Sequence, residues 1–211
     1  MLKIYSYVLD HDLGLAPNPF HGFCTLAVCK PQIRKSNNLN IGDWIVGTGS
    51  KSLEVQTGKK FVGKLIYAMR VNEIISFQDY WEDSRFQRKK PNVNGTIISM
   101  YGDNIYHMIN GEWIQENSAH STIEGDVNIK HLKKDLGGKR VLVSQDFYYF
   151  GDSAPILPNN LKDICHDSIG QKIVSANLND DFINWLTSNF QVGIRGDPAN
   201  WFSYQQLKLF N

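Results

Sequence analysis

Residues 11–34, HDLGLAPNPFHGFCTLAVCKPQIR, gather His11, Asn18, Phe20, His21, Cys24, Cys29, Lys30 and Arg34 in one short stretch. These are the residue types of thiol chemistry, metal ligation and phosphate recognition. A cysteine attacks as thiolate, so it needs a base or a positive field beside it. His11, His21, Lys30 and Arg34 are the groups of this stretch that can supply one, and Cys24 is the candidate nucleophile. Cys24 and Cys29 also invite a metal reading, and geometry argues against it. Five steps along a strand put them on opposite faces, and five along a helix separate them by about 140°. No second cysteine pair exists, so the sequence calls for no metal, and nothing in it calls for a cofactor.

Three further stretches carry polar or aromatic groups in suggestive patterns. In GTGS, Gly47 and Gly49 permit close backbone approach while Thr48 and Ser50 offer hydroxyls, although the spacing is not that of a phosphate-binding P-loop and a simple turn accounts for it equally. YWEDSRFQRKK sets Tyr80, Trp81 and Phe86 beside Arg85, Arg88, Lys89 and Lys90, a mixture that suits base stacking and phosphate neutralisation. The same residues also describe the core face and solvated end of a short helix. GDNIYH offers Asp103 and Asn104 to a base edge, and both are ordinary turn residues as well.

The elements that must position these groups are short. KIYSYVL alternates as a strand, with Ile4, Ser6 and Val8 on one face and Tyr5 and Tyr7 on the other. Pro17 and Pro19 stiffen the loop around Asn18 and Phe20, which lowers the entropy cost of holding a polar group in place. FCTLAVCK is a strand or a short buried helix. WIVG is a strand, and KKFVGKLIYAMRVNEII is a longer one that pairs with it through an exposed loop, SKSLEVQTGKK. SFQDYWEDSRF is a helix with Ser76 as its cap and Asp79 at the third position. GTIISMYG, NIYHMING and EWIQENS are extended, a turn falls at Gly137-Gly138, and KRVLVSQDFYYFG is one strand. Leu178, Phe182, Trp185, Leu186 and Phe190 form a C-terminal helical stripe. Many short strands with a few short helices predict an α+β fold around a small mixed or closed, barrel-like sheet.

The 211 residues and 42% hydrophobic content suffice for one domain, spanning 1–211, with 1–151 bearing the motifs and 152–211 a packing extension. A formal charge of +1 gives no global pull toward a polyanion, so any contact with nucleic acid is local. Three cysteines, an odd number, do not form the paired framework of a secreted scaffold. With no long apolar run either, the expectation is a soluble, cytoplasmic protein without a membrane partner.

Taken together, the first stretch, GDWIVGTGS, LIYAMRVNEIISFQDYWEDSRF, GDNIYH and VLVSQDFYYFG resemble the second nucleotide-modification-associated domain family, from Tyr5 to about Gly151. A fainter likeness, through the Gly42-Asp43 turn and the strand from Gly63 to Val71, is to the PUA-like barrels of the EVE and ASCH type, which are similar in holding single modified bases. The resemblance implies a bacterial or phage protein linked to modified-base DNA metabolism. Carried over by position, the motifs nominate His11, Asn18, Phe20, Cys24, Lys30 and Arg34, then Thr48 and Ser50, then Tyr80, Trp81, Asp83 and Arg85, then Asp103, Asn104 and Tyr106.

Three readings follow. In the leading one the protein is a recognition module for a nucleotide or a single flipped base in DNA, with RNA as a further substrate class. There Trp81 and Phe20 stack, Asp103 and Asn104 read the base edge, and Lys30, Arg34 and Arg85 hold phosphate. In the second it is a transferase or glycosidic-bond hydrolase acting on a base or nucleotide, with His11 or Asp103 as acid or base and Cys24 as nucleophile. In the third it is a scaffold for protein partners of a modification or defence system.

Overall fold

The computed structural model describes residues 2–166, 168 and 170–201. Its strands are β1 (Ile4–Leu9), β2 (Cys24–Leu26), β3 (Trp44–Gly49), β4 (Leu65–Arg70), β5 (Glu73–Ile75), β6 (Tyr106–Ile109), β7 (Glu112–Gln115), β8 (Val141–Ser144), β9 (Asp146–Tyr149), β10 (Lys172–Ile173) and β11 (Gly193–Ile194). Its helices are α1 (Pro31–Arg34), α2 (Lys51–Thr57), α3 (Phe77–Glu82), α4 (Ile97–Met100), α5 (Ile129–Leu136) and α6 (Asn179–Asn189). The fold is mixed α+β, as the sequence predicts. The chain divides into two compact units, one of residues 1–13, 40–71 and 145–211, the other of residues 14–39 and 72–144.

The first unit is built on a six-stranded sheet in the order β10-β1-β3-β4-β9-β11. It is a mixed sheet: β1 runs parallel to β3, and β9 parallel to β11, while the other pairs are antiparallel. Of the two forms the sequence allows, the open one is found, since β10 and β11 end the row and no barrel closes. Both faces of β1 are covered: Ile4, Tyr5, Ser6 and Tyr7 are all buried, so its alternation separates apolar from aromatic rather than inside from outside. Tyr7 and Tyr67 meet through their hydroxyls at 2.7 Å.

The segment after β3, expected as an exposed loop, is the helix α2. Ser50 caps it by accepting from the amide of Leu53 at 3.1 Å, and Gly58 closes it in the left-handed conformation. Glu54 then accepts the amides of Phe61 and Val62 at 2.8 and 2.9 Å, and those bonds hold its carboxyl below the usual carboxylate range. The C-terminal stripe forms α6 as expected, burying Phe182 and Leu186. Among the described residues no helix is long and apolar enough to cross a membrane.

The second unit holds a three-stranded antiparallel sheet, β2-β8-β5, and the hairpin β6-β7. The hairpin turns at Asn110-Gly111, both with positive φ, the geometry that suits a two-residue turn. VLVSQDFYY, read as one strand, is two: β8 lies in this unit's sheet and β9 in the six-stranded one. GTIISMYG is likewise not extended, because Thr96 caps the helical turn α4. Helix α3 matches its sequence signal, with Ser76 and Asp79 closing a reciprocal capping box. Leu15, Ala27, Val28, Phe77, Tyr80, Phe86, Ile105, Tyr106, Val141 and Val143 form the core beneath these elements.

The structure gives Ser50 a capping role, and the prediction follows from it. Ser50→Ala lowers unfolding free energy by about 1 kcal/mol in urea titrations, whereas Ser50→Asp, which can cap, stays near wild type.

Candidate functional site

Two buried polar clusters lie in the second unit. The first is organised by α5. Asn128 accepts the amide of His131 and starts the helix, while Leu132 and Leu136 pack on the core. His131 and Asp135, four residues apart, then share one face. Asp135 is fully buried. Its Oδ2 lies 2.7 Å from His120 Nδ1 and accepts from Tyr106 Oη at 2.9 Å, and its Oδ1 accepts the amide of Cys29 at 2.7 Å.

Cys29 sits where β2 has ended and before Pro31 opens α1. Cys29 and Lys30 have φ of 55° and 40° in succession, a left-handed backbone that residues with a Cβ rarely adopt. Two buried groups hold it there. Asp135 takes the Cys29 amide, and Arg34 Nε donates to the Cys29 carbonyl at 2.8 Å. The other Arg34 donors go to the carbonyls of Arg140 and Asp135 at 3.0 and 2.7 Å. Gly138 makes room for this, because a Cβ there would stand 2.3 Å from the guanidinium carbon.

On the far side of its ring, His120 Nε2 lies 3.8 Å from Cys29 Sγ. Thiol, imidazole and carboxylate are thus in line: sulfur to Nε2, then Nδ1 to Asp135. Burial opposes charge on His120, but its hydrogen bonds to Asp135 and Cys29 outweigh burial and raise it to about 9. Burial also opposes charge on Asp135, and the bond from His120 overcomes it, so this carboxyl is held below its ordinary value. Burial brings Arg34 down to about 10 against the pull of Asp135. A half-exposed thiol beside an imidazolium oriented by a buried carboxylate is the arrangement of a nucleophilic cysteine. His131 packs its ring 4.3 Å from that of His120, and its Nδ1 is buried without a hydrogen-bond partner. His120, His131 and Asp135 present one ligand atom each within 4.8 Å of one another, a set able to hold a metal ion.

The second cluster is closed to solvent. Thr25 Oγ1 donates to Asp103 Oδ2 at 2.7 Å and accepts from Lys89 Nζ at 3.0 Å, so one hydroxyl links the buried cation to the buried carboxyl. Tyr80 Oη donates to Asp103 Oδ1 at 2.7 Å, and Lys89 also donates to the Asn18 side chain at 2.7 Å. Burial lowers Lys89 to about 8 and raises Asp103, each toward its neutral form, though each charge partly restores the other.

The nominated residues fall as follows. Asn18, Tyr80 and Asp103 meet in this second cluster, and Asn104 reaches the Tyr80 carbonyl at 2.9 Å. Cys24 lies beside them with no exposure, and burial keeps it a neutral thiol. Phe20 is buried, its amide donating to Asn18. Arg34 and Tyr106 belong instead to the Asp135 cluster, and Lys30 stands half-exposed next to Cys29. Trp81 already stacks on His107 at 3.9 Å, with the Lys90 ammonium 3.5 Å from its ring centre. Arg85 grips Glu73 at 2.7 and 2.9 Å and also binds Asp83. His11, Thr48 and Ser50 belong to the first unit: His11 is exposed beside Asp10, Thr48 is buried, and Ser50 caps α2. Sequence reasoning did not nominate Cys29, His120, His131 or Asp135. The available signal was the helix itself: an Asn cap, then Ile129, Leu132 and Leu136 at i, i+3 and i+7, then two glycines.

A family model described as nucleotide modification associated domain 2 matches residues 1–205. The chain belongs to this family. The match passes Gly151, where the motif resemblance ends, and takes in α6. No curated protein and no solved structure matches this nucleotide modification associated domain 2 chain.

Thr25→Val keeps the shape of the second cluster while stripping one bond from Lys89 and one from Asp103. Its expected cost is about 1–3 kcal/mol of stability, measured by urea unfolding.

Proposed function

We propose that the protein is a cysteine-dependent enzyme acting on a nucleotide, or on a base turned out of DNA. Cys29 is its nucleophile, His120 its acid–base group and Asp135 the group that orients His120. The observation that carries this reading is the line from Cys29 Sγ through His120 to Asp135, at 3.8 and 2.7 Å. In such a site the imidazolium holds the sulfur as thiolate, the sulfur bonds an electrophilic carbon of the substrate as that carbon's bond to its leaving atom breaks, and Nε2 gives its proton to the departing atom. Arg34 acts as a positioning residue, since its bond to the Cys29 carbonyl helps fix the left-handed turn that presents the sulfur.

The substrate class rests on two supports. The family is one associated with nucleotide modification. Lysines stand around the cluster as well: Lys30 follows Cys29 and is half-exposed, and the exposed Lys130 and Lys134 of α5 have their charges felt at His131. Such charges suit phosphate. An enzyme accounts for the structure better than a pure recognition module does, because Arg34, Arg85, Asp103 and Trp81, on which recognition relied, are engaged within the protein.

The test is site-resolved labelling with iodoacetamide at neutral pH, read by peptide mass spectrometry. Cys29 reacts about tenfold or more faster in the folded chain than in the urea-unfolded one, and Cys24 stays unlabelled in the folded chain. His120→Asn brings Cys29 of the folded chain down to the unfolded-chain rate. Equal rates at Cys29 in the folded and unfolded wild type contradict the proposal.

A further inference from the structure

We propose that His120, His131 and Asp135 form a site for a divalent transition-metal ion, zinc by its donor set.

Three observations point to an ion. Ligand atoms of the three side chains lie within 4.8 Å of one another. Two of them come from one face of α5, which sets their spacing rigidly, and the third from the loop before it. His131 Nδ1 is buried with no partner, although buried polar atoms nearly always have one. Asn128 and the core contacts of Leu132 and Leu136 fix the helix, so this orphan nitrogen is held in position.

The chemistry of the donors selects the ion. Two imidazole nitrogens and one carboxylate form a zinc set that leaves a fourth position open, whereas magnesium and calcium favour oxygen ligands. An outer shell is present too: Tyr106 Oη and the Cys29 amide donate to the Asp135 oxygens, and Gln115 Nε2 holds the His120 carbonyl at 2.9 Å.

The test uses the full chain, stripped of metal. Zinc is titrated against a chromophoric chelator in the wild type, in His131→Ala, and in His131→Cys, which restores a zinc ligand. Thermal melting of each variant checks that it is folded. The expected result is one zinc per chain, weakened about tenfold or more by His131→Ala and largely regained by His131→Cys. No zinc binding by the wild type, or equal binding by a folded His131→Ala, overturns the site.

Discussion

A fully buried carboxylate needs several donors to stay ionised, and Asp135 shows what that requirement does to its surroundings. Its oxygens collect a histidine ring, a tyrosine hydroxyl and the backbone amide of Cys29, while the Arg34 guanidinium binds the carbonyl of the same residue. Each donor comes from a different segment, so satisfying one charge ties the end of β2, the hairpin strand β6, the His120 loop and α5 together. Removing the carboxylate would leave a strained turn without its anchor and an imidazole without its orientation. Structure and chemistry meet in one side chain.

The two polar clusters of the second unit solve the burial problem differently. Around Asp103 and Lys89, opposite charges are linked through the Thr25 hydroxyl and shielded completely, and burial pushes both toward neutrality. Around Asp135 the charged form wins on both sides of the hydrogen bond, and the far end of the imidazole meets a partly accessible sulfur. The first arrangement is suited to holding a core together. The second keeps an imidazole charged and oriented against a partly accessible sulfur.

Local signals in the sequence were legible where they were self-contained. The Ser76–Asp79 box specified α3, the terminal aromatic stripe specified α6, and β3 pairs with β4, although the one long strand expected over KKFVGKLIYAMRVNEII is broken into β4 and β5, which lie in different sheets. Signals failed where two elements shared one pattern: nothing in VLVSQDFYY marks Gln145 as the point where one sheet is left for another. They failed again for α5, whose eight residues carry four basic side chains, counting His131, and only three apolar anchors. The site suffered most from this. Cys29 was visible as a thiol, but its base lies 91 residues away and the orienting acid 15 further on, separations with no periodicity to expose them. The motifs of the first 34 residues marked the right neighbourhood and favoured Cys24, the cysteine that burial disables.

The claim on which the account depends is that Asp135 holds His120 as an oriented imidazolium facing Cys29. Histidine side-chain NMR of the metal-free protein across a pH series tests it most directly, with the His120 signal assigned by its loss in His120→Gln. Titration of His120 near pH 9, with the charged ring persisting through neutral pH, is the predicted result. Titration at the ordinary histidine value of about 6.5 would contradict it.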